Sequence, residues 1–131
     1  MSFVVIRLLM MKINFTVYGK PVSYKRVVPA RGGIPYNPKS YVAYRKHVRQ
    51  IASLFMNEKP TSKPVSVKII IFHPVKASSR MSGDIDNHCK AILDSLNGVV
   101  FVDDGQVIHL EASMFKDKIN PRVEIFITDD F

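Results

Sequence analysis

The stretch Asp84-Ile85-Asp86-Asn87-His88-Cys89-Lys90-Ala91-Ile92-Leu93-Asp94-Ser95-Leu96-Asn97-Gly98, followed by Val99 to Val102 and Asp103-Asp104-Gly105, decides how this chain is read. Ile85, Cys89, Ile92, Leu93 and Leu96 recur at i, i+4, i+7, i+8 and i+11, one apolar stripe on a helix. Asp84 or Asp86 can cap its start, and Gly98 suits the left-handed turn that ends it. Beyond the Asp103-Asp104-Gly105 turn, Ile108, Leu110, Ala112 and Met114 alternate as a strand. Val123, Ile125 and Ile127 alternate as another, and the Asn120-Pro121 break between the two predicts a hairpin.

Upstream, Ile13, Phe15 and Val17 alternate within a strand over Lys12 to Tyr18, closed by Gly19-Lys20-Pro21. Residues 19–38 read as a long loop, broken by Pro21, Pro29, Gly32, Gly33, Pro35 and Pro38. Ser40 to Asn57 reads as a helix with Ser40 at its cap and Tyr41, Tyr44, His47 or Val48, Ile51, Leu54 and Phe55 on its apolar face. A linker at Lys59 to Lys63, a β-rich run from Val65 to Phe72 and a polar loop from Lys76 to Gly83 complete the order β-α-β-α-β-β. That order implies a single α/β (α+β) domain, a mixed sheet of about four strands with helices packed on it. Residues 1–11 read as a dispensable N-terminal extension, with Met10 and Met11 as alternative starts, and 12–131 as the domain. The apolar run from Phe3 to Met11 is too short to span a bilayer, and it lacks the basic region and cleavage site of a signal peptide.

The 131 residues fit one domain, and Cys89, the single cysteine, excludes a disulfide framework and a multi-cysteine zinc site. A reducing compartment, the cytoplasm, is expected. The net charge of +8 is unevenly spread. Residues 1–83 carry fifteen Lys or Arg and one acid, Glu58, whereas 84–131 carry ten acids and four basic residues. Basic side chains hold a phosphate backbone and clustered carboxylates hold divalent metal, a combination that suits a nuclease. A basic nucleic-acid-binding module whose acids only cap helices has the same charge pattern.

Asp86 and Lys90, four residues apart, project from one helix face, with Asp94 a further turn along. If the chain doubles back after the helix, Asp103 and Asp104 approach its N-terminal end. Three converging carboxylates there can hold one or two Mg²⁺ ions, and Lys90 is placed to face a charged transition state. The alternative reading makes Asp84 or Asp86 a cap, Asp86–Lys90 a surface pair and Asp103-Asp104-Gly105 only a turn.

The same residues resemble the signature of the RusA family of Holliday junction resolvases. The signature is D-x-D-N, a lysine, an A-x-x-D-x-L segment and a hydrophobic-D-D-x-Q-V segment. It is matched by Asp84 to Asn87, Lys90, Ala91 to Leu96 and Val102 to Val107. Gly19-Lys20-Pro21-Val22, Lys25-Arg26, Tyr36-Asn37-Pro38-Lys39 and Tyr44 extend the similarity loosely over residues 12–128. The resemblance implies that Asp84, Asp86 and Asp104 are metal-binding catalytic carboxylates, with Lys90 near the scissile phosphate and Asp94 and Asp103 in support. It also implies a homodimer that uses Mg²⁺, with Mn²⁺ as substitute, and needs no small-molecule cofactor. Such a dimer would nick opposing strands of a four-way DNA junction in recombination and repair. Phage or prophage origin is frequent in the family and is implied here. A C₂ dimer presents equivalent sites to a near two-fold substrate.

Where some members carry an arginine run before the first aspartate, this chain has only Lys76 and Arg80. The expected DNA contacts are Lys20, Lys25, Arg26, Arg31, Lys76 and Arg80. Tyr24 and Tyr36 lie among them and can stack on bases or pack the loop. A flap- or fork-cutting nuclease on the same scaffold is the alternative activity.

Overall fold

The computed structural model describes residues 10–25, 32–33 and 38–130. Its elements are β1 (Lys12–Tyr18), α1 (Lys39–Phe55), β2 (Val65–His73), α2 (Ile85–Leu96), a single 3-10 turn (Asp104–Gln106), β3 (Val107–Lys116) and β4 (Arg122–Thr128). The element order is the expected one, and the strands form one four-stranded mixed sheet ordered β1-β4-β2-β3. β4 runs antiparallel to both of its neighbours, while β2 and β3 run parallel, with α2 in the crossover between them. A parallel pair needs such a crossover, which is why the strand before the acidic helix and the strand after it lie side by side.

One face of the sheet carries the core. Phe15, Val17, Val65, Val67, Ile69, Ile71, Val123, Ile125 and Ile127 pack there against Tyr44, Val48 and Ala52 of α1 and Cys89, Ile92 and Leu96 of α2. Each buried Val, Ile, Leu or Phe among them stabilises the fold by roughly 1.5–3 kcal/mol on removal from water. The alternate residues of the same strands, Lys68, Ile70 and Phe72 of β2 among them, face the other way and are exposed or half-buried. Among the described residues no helix is long and apolar enough to cross a membrane.

Four local expectations are corrected. β3 and β4 do not form a hairpin: β4 enters between β1 and β2, leaving β3 at the edge. The linking segment passes over the end of β2, where Asp117 N donates to His73 O at 2.7 Å. Arg122 pins the segment through Asp117 at 3.0 Å and Glu124 at 2.8 Å. Alternation identifies a strand but not its neighbours, and β4 is buried on one face in either arrangement.

The cap of α1 is Pro38 and not Ser40, which lies inside the first turn. The apolar face of α1 runs through Tyr41, Tyr44, Val48 and Ala52, and Leu54 and Phe55 are exposed. On β3 the register slips by one residue between Val65 and Ser66, so Ile108 is the extra residue and is exposed while Ala112 and Met114 turn toward the core.

Met11, just before β1, is bonded to the chain that follows β4. Its backbone N–H donates to the Asp129 carboxylate, and its carbonyl accepts from Asp129 N at 3.1 Å and from Thr128 Oγ1 at 3.0 Å. Residues 1–9 lie outside the described residues.

Candidate active site

The position of α2 is fixed at both ends. At its C-terminus Arg49 of α1 donates from Nη1 to Asn97 O at 2.7 Å and to Ser95 O at 3.2 Å, supplying donors to carbonyls a helix end leaves unpaired. Gly98 follows in the left-handed region, as expected. At the N-terminus Tyr24 N donates to Asn87 O at 2.9 Å, tying the loop after β1 to the first turn. His88, buried at 3%, donates from Nε2 to Ser82 O at 2.7 Å and packs edge-on against buried His73 at 4.9 Å. Burial pushes both imidazoles below the usual histidine range, His88 adding to the effect on His73, so both are neutral at pH 7.

Asp84 occupies the cap position of α2, but its side chain makes no cap hydrogen bond, and Asp86 sits in the first turn. Both are exposed. The sequence left open whether these acids merely cap the helix, and for Asp84 and Asp86 alike the described geometry shows no such bond. The 3-10 turn separates the roles of the next acidic pair. Asp103 caps it, accepting from Gly105 N at 2.8 Å, while Gln106 Oε1 accepts from Asp103 N at 2.8 Å in a reciprocal capping box. Gln106 Nε2 reaches Thr61 O and Lys63 O, both at 2.8 Å, and anchors the turn to the linker before β2. Asp103 is thereby engaged in holding the turn, while half-buried Asp104 makes no such bond.

Asp86, Lys90 and Asp104 line one open cleft of about 490 Å³, walled by Ile85, Cys89, Leu93, Leu110 and Ala112. Asp84 lines the adjoining cleft with Arg80, Met114 and Lys116, and Ile85 is shared by both. The chain does double back, and it brings two of the expected carboxylates into one cleft with the third on the far side of Ile85. The Cys89 thiol behind them is buried and, with Asp86 nearby, held above its usual range, so it is no nucleophile.

Lys90 does not pair with Asp86. Its ammonium lies 3.2 Å from Asp94 Oδ2 and 4.7 Å from the centre of the Tyr24 ring. Asp94 also accepts a 2.9 Å hydrogen bond from Tyr41 of α1. Of the expected DNA contacts, Lys20, Lys25, Lys76 and Arg80 are exposed. Arg26 and Arg31, like Tyr36, lie outside the described residues. Lys116, which the sequence did not single out, lines the Asp84 cleft and donates to Ala77 O at 2.7 Å, tethering the loop that carries Lys76 and Arg80. Nothing in its local pattern marks it; only the parallel pairing of β2 and β3 brings it there.

Among the described residues no three His, Cys, Asp or Glu side chains approach closely enough to enclose a metal ion. Asp86 and Asp104 on one open, solvent-filled cleft nevertheless fit Mg²⁺, which binds through one or two carboxylates and retains water that substrate phosphate can replace. The donors match a loosely ligated ion and not an all-protein cage.

A family model described as endodeoxyribonuclease RusA matches residues 19–128. The chain belongs to the RusA endodeoxyribonuclease family. The match covers α1, α2 and the acidic turn, and ends on the last residue of β4. A similar protein is the uncharacterised YqaN of Bacillus subtilis strain 168, 30% identical over 89% of this chain and 96% of that one. Family membership makes the chain an endodeoxyribonuclease, and it accords with a basic N-terminal part beside an acidic cleft.

Proposed function

We propose that the protein is a divalent-metal-dependent endonuclease that resolves four-way DNA junctions by paired nicks, acting as a homodimer in recombination and repair. The observation that carries this reading is the convergence of Asp86, Lys90 and Asp104 on one open cleft from two separate elements. Asp86 and Asp104 would hold the ion, with Asp84 reaching it or a second ion around Ile85. When bound, the ion would polarise the scissile phosphate, activate the attacking water and neutralise the leaving oxygen.

The remaining work falls to the chain itself. Asp86 and Asp104, as carboxylates, would supply oxygen ligands to the ion and accept the hydrogen bonds of water in the cleft. Lys90, 47% exposed at its side chain, presents its ammonium at the cleft to the non-bridging phosphate oxygens as charge builds there. Lys76 and Arg80 on the loop over the Asp84 cleft, with Lys20 and Lys25 on the facing loop, supply charge for the DNA arms.

Dimer formation is supported by the unpaired edge of β3, where Ile108, Leu110 and Phe115 are exposed beside the cleft. The test is cleavage of labelled four-way junction, flap, fork and linear duplex in Mg²⁺ and in Mn²⁺, with mass measured in solution. Symmetric paired nicks in the junction alone, by a particle of twice the chain mass, support the reading. Equal cutting of flaps or forks replaces it with the general structure-selective nuclease, and tight binding without cutting in either metal leaves a binding module.

A further inference from the structure

Lys90 stands in a closed ring of contacts drawn from three elements. Asp94, one helical turn along α2, lies 3.2 Å from its ammonium. Tyr41 of α1 donates its hydroxyl to the same Asp94 oxygen at 2.9 Å. The Tyr41 ring meets the Tyr24 ring edge-on at 5.4 Å, and Tyr24 in turn lies under the Lys90 ammonium at 4.7 Å. Tyr24 is itself fastened to α2 by its backbone bond to Asn87 O. Tyr41 is 1% exposed and Asp94 side chain 20%, so the fixed members of the ring are shielded while the ammonium at its rim is open.

A lysine side chain left to itself samples many rotamers, and ordering it costs up to about 2 kcal/mol of entropy. Here that ordering is done before substrate arrives. Asp94 alone, on the same helix, makes a weak surface pair of a type that holds geometry poorly. The Tyr41 hydroxyl changes this: it fixes the carboxylate rotamer from a neighbouring helix, and the Tyr24 face closes off the other side of the ammonium.

We propose that Tyr41 is a positioning residue of the nuclease, whose hydroxyl, acting through Asp94 and backed by the Tyr24 ring, holds the Lys90 ammonium at the mouth of the carboxylate cleft. The proposal rests on the reading of that cleft as the cutting site. It assigns Tyr41 a role besides core packing and makes Tyr24 a clamp on Lys90, not a platform for unpaired bases.

The test compares wild type with Tyr41→Phe, which removes one oxygen and keeps the ring, and with Asp94→Asn, which keeps an acceptor for Tyr41 and removes the charge facing Lys90. The first readout is single-turnover cleavage of a four-way junction. Tyr41→Phe should lower the rate at saturating DNA about tenfold, in line with loss of a hydrogen bond to a charged group. The Kd for the junction should stay near wild type, and the variant should remain fully folded under assay conditions while its unfolding midpoint falls modestly.

The second readout needs no activity: the side-chain Hε signal of Lys90 in protein labelled at lysine ¹³Cε, assigned by its loss in Lys90→Arg. Ring current from Tyr24 should hold it upfield in wild type, and Tyr41→Phe and Asp94→Asn should each move it toward the other lysines. A Lys90 signal unmoved in Tyr41→Phe overturns the clamp whether or not the protein cuts DNA. A wild type that cuts no DNA refutes the proposed function while the signal still decides the clamp. A rate drop matched by an equal loss of folded protein, with the signal unmoved, reduces Tyr41 to a core residue.

Discussion

Gly83 lies where the basic loop meets the first turn of α2, and replacing it with alanine should disturb both. Its φ is +83°, in the left-handed region, where an L side chain costs roughly 1–2 kcal/mol. An added Cβ would also stand 2.7 Å from Ser23 Oγ and 2.9 Å from both Ser23 Cβ and His88 Nε2. The Ser23 hydroxyl can rotate away, but its Cβ cannot without moving the backbone that leads into the Tyr24–Asn87 bond. His88 is buried and already committed to Ser82 O, so pushing it aside leaves a buried donor unpaired, at about 1–3 kcal/mol.

Together Gly83→Ala should lose ~2–5 kcal/mol in equilibrium urea unfolding, with an unchanged dependence on denaturant. Adding Ser23→Gly should recover the part due to the Ser23 contact and none of the part due to φ. A loss below about 0.5 kcal/mol, within the range of an ordinary surface substitution, would refute the account of this junction as close-packed.

Two further predictions concern what holds α2 in place. Arg49→Ala removes the donors to Ser95 O and Asn97 O and should cost ~1–3 kcal/mol in urea unfolding, with faster amide exchange over residues 96–100; an unaltered stability would show that these carbonyls find water instead. The depressed His73 and His88 imidazoles give stability a definite pH dependence. Below the ordinary histidine value of about 6.5 the unfolded chain takes up protons that the folded chain refuses. Stability should therefore be flat above that pH and decline as pH falls below it, by at most about 1.4 kcal/mol per unit for each group. Urea titrations between roughly pH 5.5 and 8 check this against His73→Gln, whose decline should be shallower; stability that rises on acidification would contradict the burial of these rings.

The sequence made the element order and the strands legible because apolar spacing is a local property: Phe15 and Val17, Ile69 and Ile71, and Cys89, Ile92 and Leu96 announce their faces directly. Strand neighbours were not legible, since β4 looks alike beside β3 or between β1 and β2; the path over His73 is set by a turn that Asp117 and Arg122 hold together in three dimensions. In the site, the helix and turn that carry Asp86 and Asp104 could be read from spacing and from family resemblance. The division of labour inside Asp103-Asp104-Gly105-Gln106 could not, because it depends on the carboxylate of Asp103 closing on Gly105 and on Gln106 reaching the linker. Tyr41 was legible only as part of an apolar stripe; its hydroxyl finds Asp94 across 53 positions of sequence.

The central claim is that the cleft between α2 and the acidic turn cuts DNA, and Asp86→Asn and Asp104→Asn test it most directly. Neither carboxylate has a hydrogen bond or ion pair within the described residues, so both variants should fold with wild-type stability. Assayed on a labelled four-way junction in Mg²⁺, each should bind the junction as tightly as wild type and fail to nick it. Retained cleavage by either variant, in a protein whose wild type cuts, would contradict the account and place the cutting site elsewhere on the molecule.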